Sequence, residues 1–114
     1  MSATIWHNPR CSKSRQTLAL IDSQRVPVKI FPYTKQIPTA DQIADVLRLL
    51  DISAIELVRT GERLFKELGL SKTDADDVLI KAMVENPILI ERPIVIANGK
   101  AAIGRPPENV LDIL

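Results

Sequence analysis

The chain has 114 residues, 15 Lys and Arg against 14 Asp and Glu, a formal net charge of +1, and 46% hydrophobic residues. That length suits one domain with a real core, and the balanced charge argues against nucleic acid or an acidic membrane surface as the main partner. A single cysteine, Cys11, excludes an internal disulfide and a cysteine-based zinc site, so a disulfide formed in turnover needs an external thiol.

Met1-Ser2-Ala3 carries no basic run and no long apolar stretch, which argues against a signal peptide. No apolar run approaches membrane-spanning length, so the expectation is a cytoplasmic protein. Ala3 to Trp6 reads as a short strand. His7-Asn8-Pro9-Arg10-Cys11-Ser12-Lys13-Ser14-Arg15 follows, with the only histidine and the only cysteine of the chain. Pro9 cannot continue a strand ladder, so the strand ends before it. A helix runs from Ser12 to about Asp22, with Thr17, Leu18, Leu20 and Ile21 on its apolar face. Cys11 then stands at the helix N-terminus, where unpaired N–H groups and the helix dipole favour a thiolate or a bound oxyanion.

A lone cysteine is most often an inert, buried hydrophobe. Cys11, however, is flanked by Arg10, Ser12, Lys13 and Ser14 rather than by an apolar run, which favours a reactive thiol of lowered pKa. Arg15 lies four residues beyond Cys11 and shares its face. His7 is open to two readings, a strand-end residue or a group that polarises the site.

Val28-Lys29-Ile30-Phe31 is a second strand between Pro27 and Pro32, so strand, helix and strand form a βαβ unit with parallel strands. A helical middle follows. Thr39 with Gln42 and Ser53 with Glu56 are capping-box pairs that each open a helix. Arg59 lies at the end of the second of these, where a cation suits a helix C-terminus. Leu64, Phe65 and Leu68 form another helical face stopped by Gly69. Thr73 to Glu85 is a fourth helix, with Asp74, Asp76 and Asp77 in its first turn by dipole preference rather than as metal ligands. Residues 93–97 and 100–103 form a hairpin around Asn98-Gly99. Gly104-Arg105-Pro106-Pro107 breaks it and opens a final helix toward Leu114. This order describes an α/β chain of one domain, residues 1–114. It has a thioredoxin-like fold, βαβ then ββα around a mixed four-stranded sheet, with a helical insertion at about 39–86.

Three segments give this order a family resemblance: His7 to Arg15, Asn86 to Val95 with its Arg92-Pro93-Ile94-Val95, and Gly104 to Leu114. The chain resembles the glutaredoxin-linked arsenate reductase (ArsC) family, in its short YfgD-like branch, over essentially its whole length. Classical members run on past the final helix. The resemblance implies that the catalytic residues are Cys11, the nucleophile that forms a thioarsenate adduct, and His7 beside it. It implies that Arg59, Arg92 and Arg105 bind the oxyanion, and that Pro93 follows a cis peptide bond. Ser14, Arg15 and Pro93 are supporting residues. The partners implied are arsenate or a similar oxyanion, glutathione as co-substrate and glutaredoxin, with no bound cofactor and no metal. The chemistry is coherent, because a thiolate attacking an anion needs cations to offset repulsion, and arginine offers a planar charged fork suited to a tetrahedral oxyanion.

Two other functions share this fold. A general thiol- or glutathione-linked oxidoreductase would also use Cys11, but Arg92 stands before Pro93 where glutaredoxins place a small or β-branched residue. An Spx-like transcriptional regulator that binds RNA polymerase would carry a Cys-x-x-Cys switch, and the corresponding tetrad here is Cys11-Ser12-Lys13-Ser14.

Overall fold

Ala3–Trp6 forms β1, Ser12–Ser23 α1 and Val28–Phe31 β2 in a computed structural model that describes residues 2–114. β1 and β2 pair in parallel, Ala3 opposite Val28 and Trp6 opposite Phe31. Ile94–Ala97 (β3) and Lys100–Ile103 (β4) pair antiparallel, and β3 also lies antiparallel to β1, so the sheet order is β2-β1-β3-β4. This is the mixed four-stranded sheet of a thioredoxin-like fold. The Asn98-Gly99 turn puts both residues at positive φ, 55° and 70°, the geometry that a two-residue hairpin requires. Asn98 Nδ2 also donates to the Ile113 carbonyl at 2.8 Å, which ties the turn to the chain end.

The chain divides into two compact units. The first runs to Gln36 and resumes over Arg92–Leu114. Its core forms where Ala3 and Ile5 of β1 and Val95 and Ala97 of β3 meet Ile21 of α1, Val110 and Ile113. Strand alternation puts these residues on one sheet face, and each fully buried Ile or Val contributes roughly 1.5–3 kcal/mol. Trp6 points to the opposite face and packs against Phe31 and Tyr33, with ring centroids 5.3 and 6.5 Å away. The closing segment Pro107–Ile113 is a 3₁₀ helix, not the α-helix that its opening prolines suggest. The buried residues of α1 itself are Ser14, Thr17 and Ile21, while Leu18 and Leu20 are half-buried.

The second unit, Ile37–Glu91, holds α2 (Ala40–Leu50), α3 (Ala54–Leu57), α4 (Arg63–Glu67) and α5 (Asp76–Glu85). Thr39 and Gln42 close their capping box, at 2.8 and 3.1 Å, and Glu56 accepts from the Ser53 N–H at 3.0 Å. Ile43, Val46 and Leu47 of α2 and Leu79, Ala82 and Met83 of α5 are buried at helical spacing. The helix expected from Thr73 starts at Asp76 instead. Asp74 Oδ2 takes the Ser71 N–H at 2.9 Å and closes a turn ahead of the helix, a local bond that Asp and Ser favour over helix. Asp76 Oδ1 accepts from the Ala54 N–H at 3.2 Å, so this carboxylate serves the start of α3. Leu68, expected on the face of α4, lies beyond its last turn and is exposed. Among the described residues no helix is long and apolar enough to cross a membrane.

Candidate active site

Cys11 is the N-cap of α1, with extended φ and ψ of −95° and 122°, and its side chain is buried. Three local bonds shape the loop that delivers it. The Cys11 N–H donates to the Asn8 carbonyl at 3.0 Å, the Arg10 N–H to Asn8 Oδ1 at 3.0 Å, and the Asn8 N–H to Ser14 Oγ at 3.0 Å. The second is an Asx-turn, the conformation that an Asn before Pro favours. Upstream, the His7 N–H donates to the Phe31 carbonyl at 3.0 Å, which fixes the end of β1 against β2.

Two arginines act on the sulfur. Arg105 Nη2 lies 3.6 Å from Cys11 Sγ, while Arg105 Nε donates to the Arg92 carbonyl at 2.8 Å. Asn109 Nδ2 in turn donates to the Arg105 carbonyl at 3.0 Å. Burial pushes the Cys11 thiol up. The Ser14 N–H, the Arg92 guanidinium (as hydrogen-bond donor and as charge) and the Lys13 N–H outweigh burial, so the pKa ends below the ordinary thiol value. The helix-N-terminal amides are the influence foreseen for this position; the cation is Arg92, from a distant segment, and not the flanking Arg10, Lys13 or Arg15.

His7 is buried, and its Nδ1 lies 2.6 Å from Ser14 Oγ. Burial and then the charge of Arg15 lower its pKa, which keeps the ring neutral near neutral pH. Arg15 uses Nη1 to hold the Pro9 carbonyl at 2.8 Å, so its side chain braces the cysteine loop. The Arg92–Pro93 peptide is cis, as the resemblance implies, and Arg105–Pro106 is cis as well. Pro93 accepts the Gly104 N–H at 2.9 Å. A Cβ at Gly104 would lie 2.5 Å from Thr17 Oγ1 and 2.8 Å from Pro93 Cγ, so only glycine fits where this strand end meets α1. The structure thus brings Cys11, His7, Ser14, Arg92, Pro93 and Arg105 together within one unit.

Arg59 belongs to the second unit. There its N–H donates to the Leu89 carbonyl at 2.7 Å, and its guanidinium lies 3.2 Å from Glu62 Oε1 and 3.8 Å from Glu91 Oε1. With Val58, Thr60 and Gly61 these side chains line a recess of ≈ 380 Å³. Among the described residues no group of three or more His, Cys, Asp or Glu is placed to hold a metal ion.

A match to the ArsC family runs over residues 6–113. The chain belongs to the ArsC family. It is 51% identical over 112 residues to "Uncharacterized protein YfgD" of Escherichia coli (strain K12), which covers 96% of this chain and 94% of that protein. It is 43% identical over 116 residues to a Haemophilus influenzae protein named arsenate reductase, over 100% of both chains. A solved structure, titled arsenate reductase from Vibrio cholerae, superposes with a TM-score of 0.96 at 45% identity, over 100% of this chain and 98% of that one.

Some residues that shape the surroundings of Cys11 in the first unit, and of Arg59 in the second, were not assigned from sequence. Asn8 carries the loop through its side chain, and the Asn-Pro pair is the signal that points to it. Glu62 stands three residues after Arg59, a spacing that pairs charges around a turn, yet Glu91 reaches the same guanidinium from a distant segment with no local signal. Gly104 leaves no trace of its role in a single sequence, because the atoms it must avoid come from α1 and the Arg92–Pro93 turn.

Proposed function

We propose that this chain reduces arsenate to arsenite through Cys11, with glutathione and glutaredoxin as the source of electrons. The observation that carries the reading is the Cys11 sulfur itself. It is a buried helix-N-cap thiol of lowered pKa, 3.6 Å from the Arg105 guanidinium and under the charge of Arg92. Names carried by relatives of high identity support arsenate as the oxyanion.

In the proposed reaction the Cys11 thiolate attacks arsenic(V). A sulfur–arsenic bond forms, an As–O bond breaks, and the oxygen leaves as water after protonation. Arg92 and Arg105 offset the charge that gathers on the arsenate oxygens as the anionic nucleophile approaches. Glutathione attacks the adduct next. Arsenic gains two electrons and departs as arsenite, and the two sulfurs are left as a Cys11–glutathione disulfide. The dithiol of glutaredoxin then reduces that disulfide by thiol exchange. The demand for external thiols follows from the single cysteine. Such a reaction belongs in a thiol-rich reducing compartment, and we place it in the cytoplasm. Arg59 is assigned to the oxyanion by the family resemblance.

The test is arsenite formation by the purified protein with arsenate, glutathione and a glutaredoxin, with Cys11→Ser run alongside. The reading expects turnover in the wild type and none in the variant, because serine is nearly isosteric but a far weaker nucleophile near neutral pH. Turnover retained in Cys11→Ser would sink the covalent mechanism. A wild type that exchanges mixed disulfides but leaves arsenate untouched would move the thiol-oxidoreductase reading ahead.

A further inference from the structure

The His7 ring and the Ser14 hydroxyl are both buried, and the proposed reaction uses neither directly. Ser14 Oγ has two partners in the structure, the Asn8 N–H at 3.0 Å and His7 Nδ1 at 2.6 Å. Asn8 N is a donor, so the oxygen accepts there. A hydroxyl has one proton to give, and the remaining partner is Nδ1. Were Nδ1 protonated instead, the Ser14 oxygen would face two donors while its own proton lacked an acceptor in a fully buried place, an arrangement that native interiors avoid.

We infer that Ser14 is the positioning residue of the cysteine loop: its hydroxyl donates to His7 Nδ1, fixes the ring as the neutral Nε2–H tautomer, and through the Asn8 N–H locks the loop onto the first turn of α1. His7 and Asn8 are thereby held from both sides, by Ser14 within and by the Phe31 carbonyl on the His7 N–H. The locked Asn8 supplies the carbonyl that takes the Cys11 N–H at 3.0 Å, and Asn8 Oδ1 takes the Arg10 N–H. Ser14 thus serves Cys11 twice, since its own N–H is directed at the sulfur. His7 contributes orientation and no charge. The cation that faces it is Arg15, which together with burial opposes protonation of the ring. The positive charge that favours the thiolate comes from the arginines, with Arg92 acting on the sulfur and Arg105 3.6 Å from it.

This inference rests on Cys11 being the reactive group and makes no use of arsenate. Its test is ¹⁵N NMR of the His7 ring in the full chain, together with the pH dependence of Cys11 alkylation, for the wild type and Ser14→Ala. The alanine variant keeps the residue-14 N–H and removes only the hydroxyl. In the wild type, Nε2 carries the proton, Nδ1 does not, and alkylation follows one ionisation, that of Cys11. In Ser14→Ala, the two tautomers mix, the His7 midpoint rises, and the Cys11 midpoint rises by about one unit, leaving about tenfold less thiolate at a pH below it. A protonated Nδ1 in the wild type overturns the inference, and that reading stands even if Ser14→Ala fails to fold. So does an alanine variant in which the Cys11 midpoint stays put. Arsenate turnover can fail with these results intact, or succeed while they fail, so the two claims are judged separately.

Discussion

Arg105 and Arg59 are both arginines of this ArsC chain, and their surroundings are opposite in sign. Arg105 lies 3.6 Å from a thiol of lowered pKa, donates to a main-chain carbonyl, and sits in a segment where Arg92 adds a second cation. Arg59 stands between two carboxylates, Glu62 at 3.2 Å and Glu91 at 3.8 Å. One cation against two carboxylates leaves that cluster net negative, whereas the cluster at Cys11 is net positive even with the thiolate formed. An incoming oxyanion is drawn to the second arrangement and must compete with carboxylates in the first. An arginine's position in a motif therefore does not state its electrostatic role; its partners do.

Replacing the fork without the charge attacks this contrast most strongly. Arg92→Lys keeps a cation near the sulfur and loses the planar pair of donors. If Arg92 stabilises charge developing on arsenate, kcat and kcat/KM fall together, on the order of 10²-fold, as when one donor to a transition-state oxyanion is removed. Denaturant unfolding should move far less than turnover, because lysine keeps the charge at a residue that is half-buried overall, although Arg92 Nε and Nη1 are themselves buried. Steady-state kinetics with a raised KM and an unchanged kcat would assign Arg92 to ground-state binding alone.

Two glycines probe the backbones that carry the two arginines. Gly104→Ala pushes a Cβ to 2.5 Å from Thr17 and 2.8 Å from Pro93, so it should cost about 1–3 kcal/mol in denaturant unfolding. It also shifts the neighbouring Arg105, so Cys11 alkylation at neutral pH should slow. Gly61, two residues from Arg59, has no atom within 4 Å of a Cβ placed there. Gly61→Ala should stay within about 0.5 kcal/mol of wild type. Equal effects at the two sites would contradict the packing described.

The smallest effect belongs to the carboxylates. Glu62→Gln removes one member of a partly exposed ion pair, so stability should change by about 1 kcal/mol or less. Its value lies in affinity. If Arg59 takes an oxyanion, freeing it from Glu62 should lower the KM for arsenate a few-fold with kcat unchanged. An unaltered KM would leave Arg59 a structural cation of its own unit.

Most of the architecture was legible because its signals are local. The Asn98-Gly99 turn, the capping box at Thr39 and the prolines around β2 each act within a few residues, and the strands fall where they point. The failures were local competitions too. Asp74 preferred a turn with Ser71 to the first turn of α5, and the last segment tightened to 3₁₀. At the site, the sequence pointed to Cys11 because a helix N-terminus and flanking cations are visible in nine consecutive residues. It could not show that Ser14 faces His7 or that Gly104 faces Thr17. Those contacts depend on how α1 is seated against β1 and β4, and a single chain of letters carries no record of that seating. Nor does any local signal place Arg92 and Arg105 at the Cys11 sulfur; only the family resemblance singled them out.

Titration of the Cys11 thiolate in the wild type tests the central claim most directly, by absorbance or by alkylation rate against pH. The amides of α1 and the Arg92 guanidinium outweigh burial, so the folded pKa is depressed. Reactivity should therefore rise with pH through a midpoint below that of a free thiol titrated alongside. The same shift ties thiolate to fold. Relative to Cys11→Ser, the wild type should gain stability as pH rises from the folded midpoint to the unfolded one, and lose it as pH falls back through that window. A midpoint at or above the free-thiol value would contradict an activated nucleophile at this helix N-terminus.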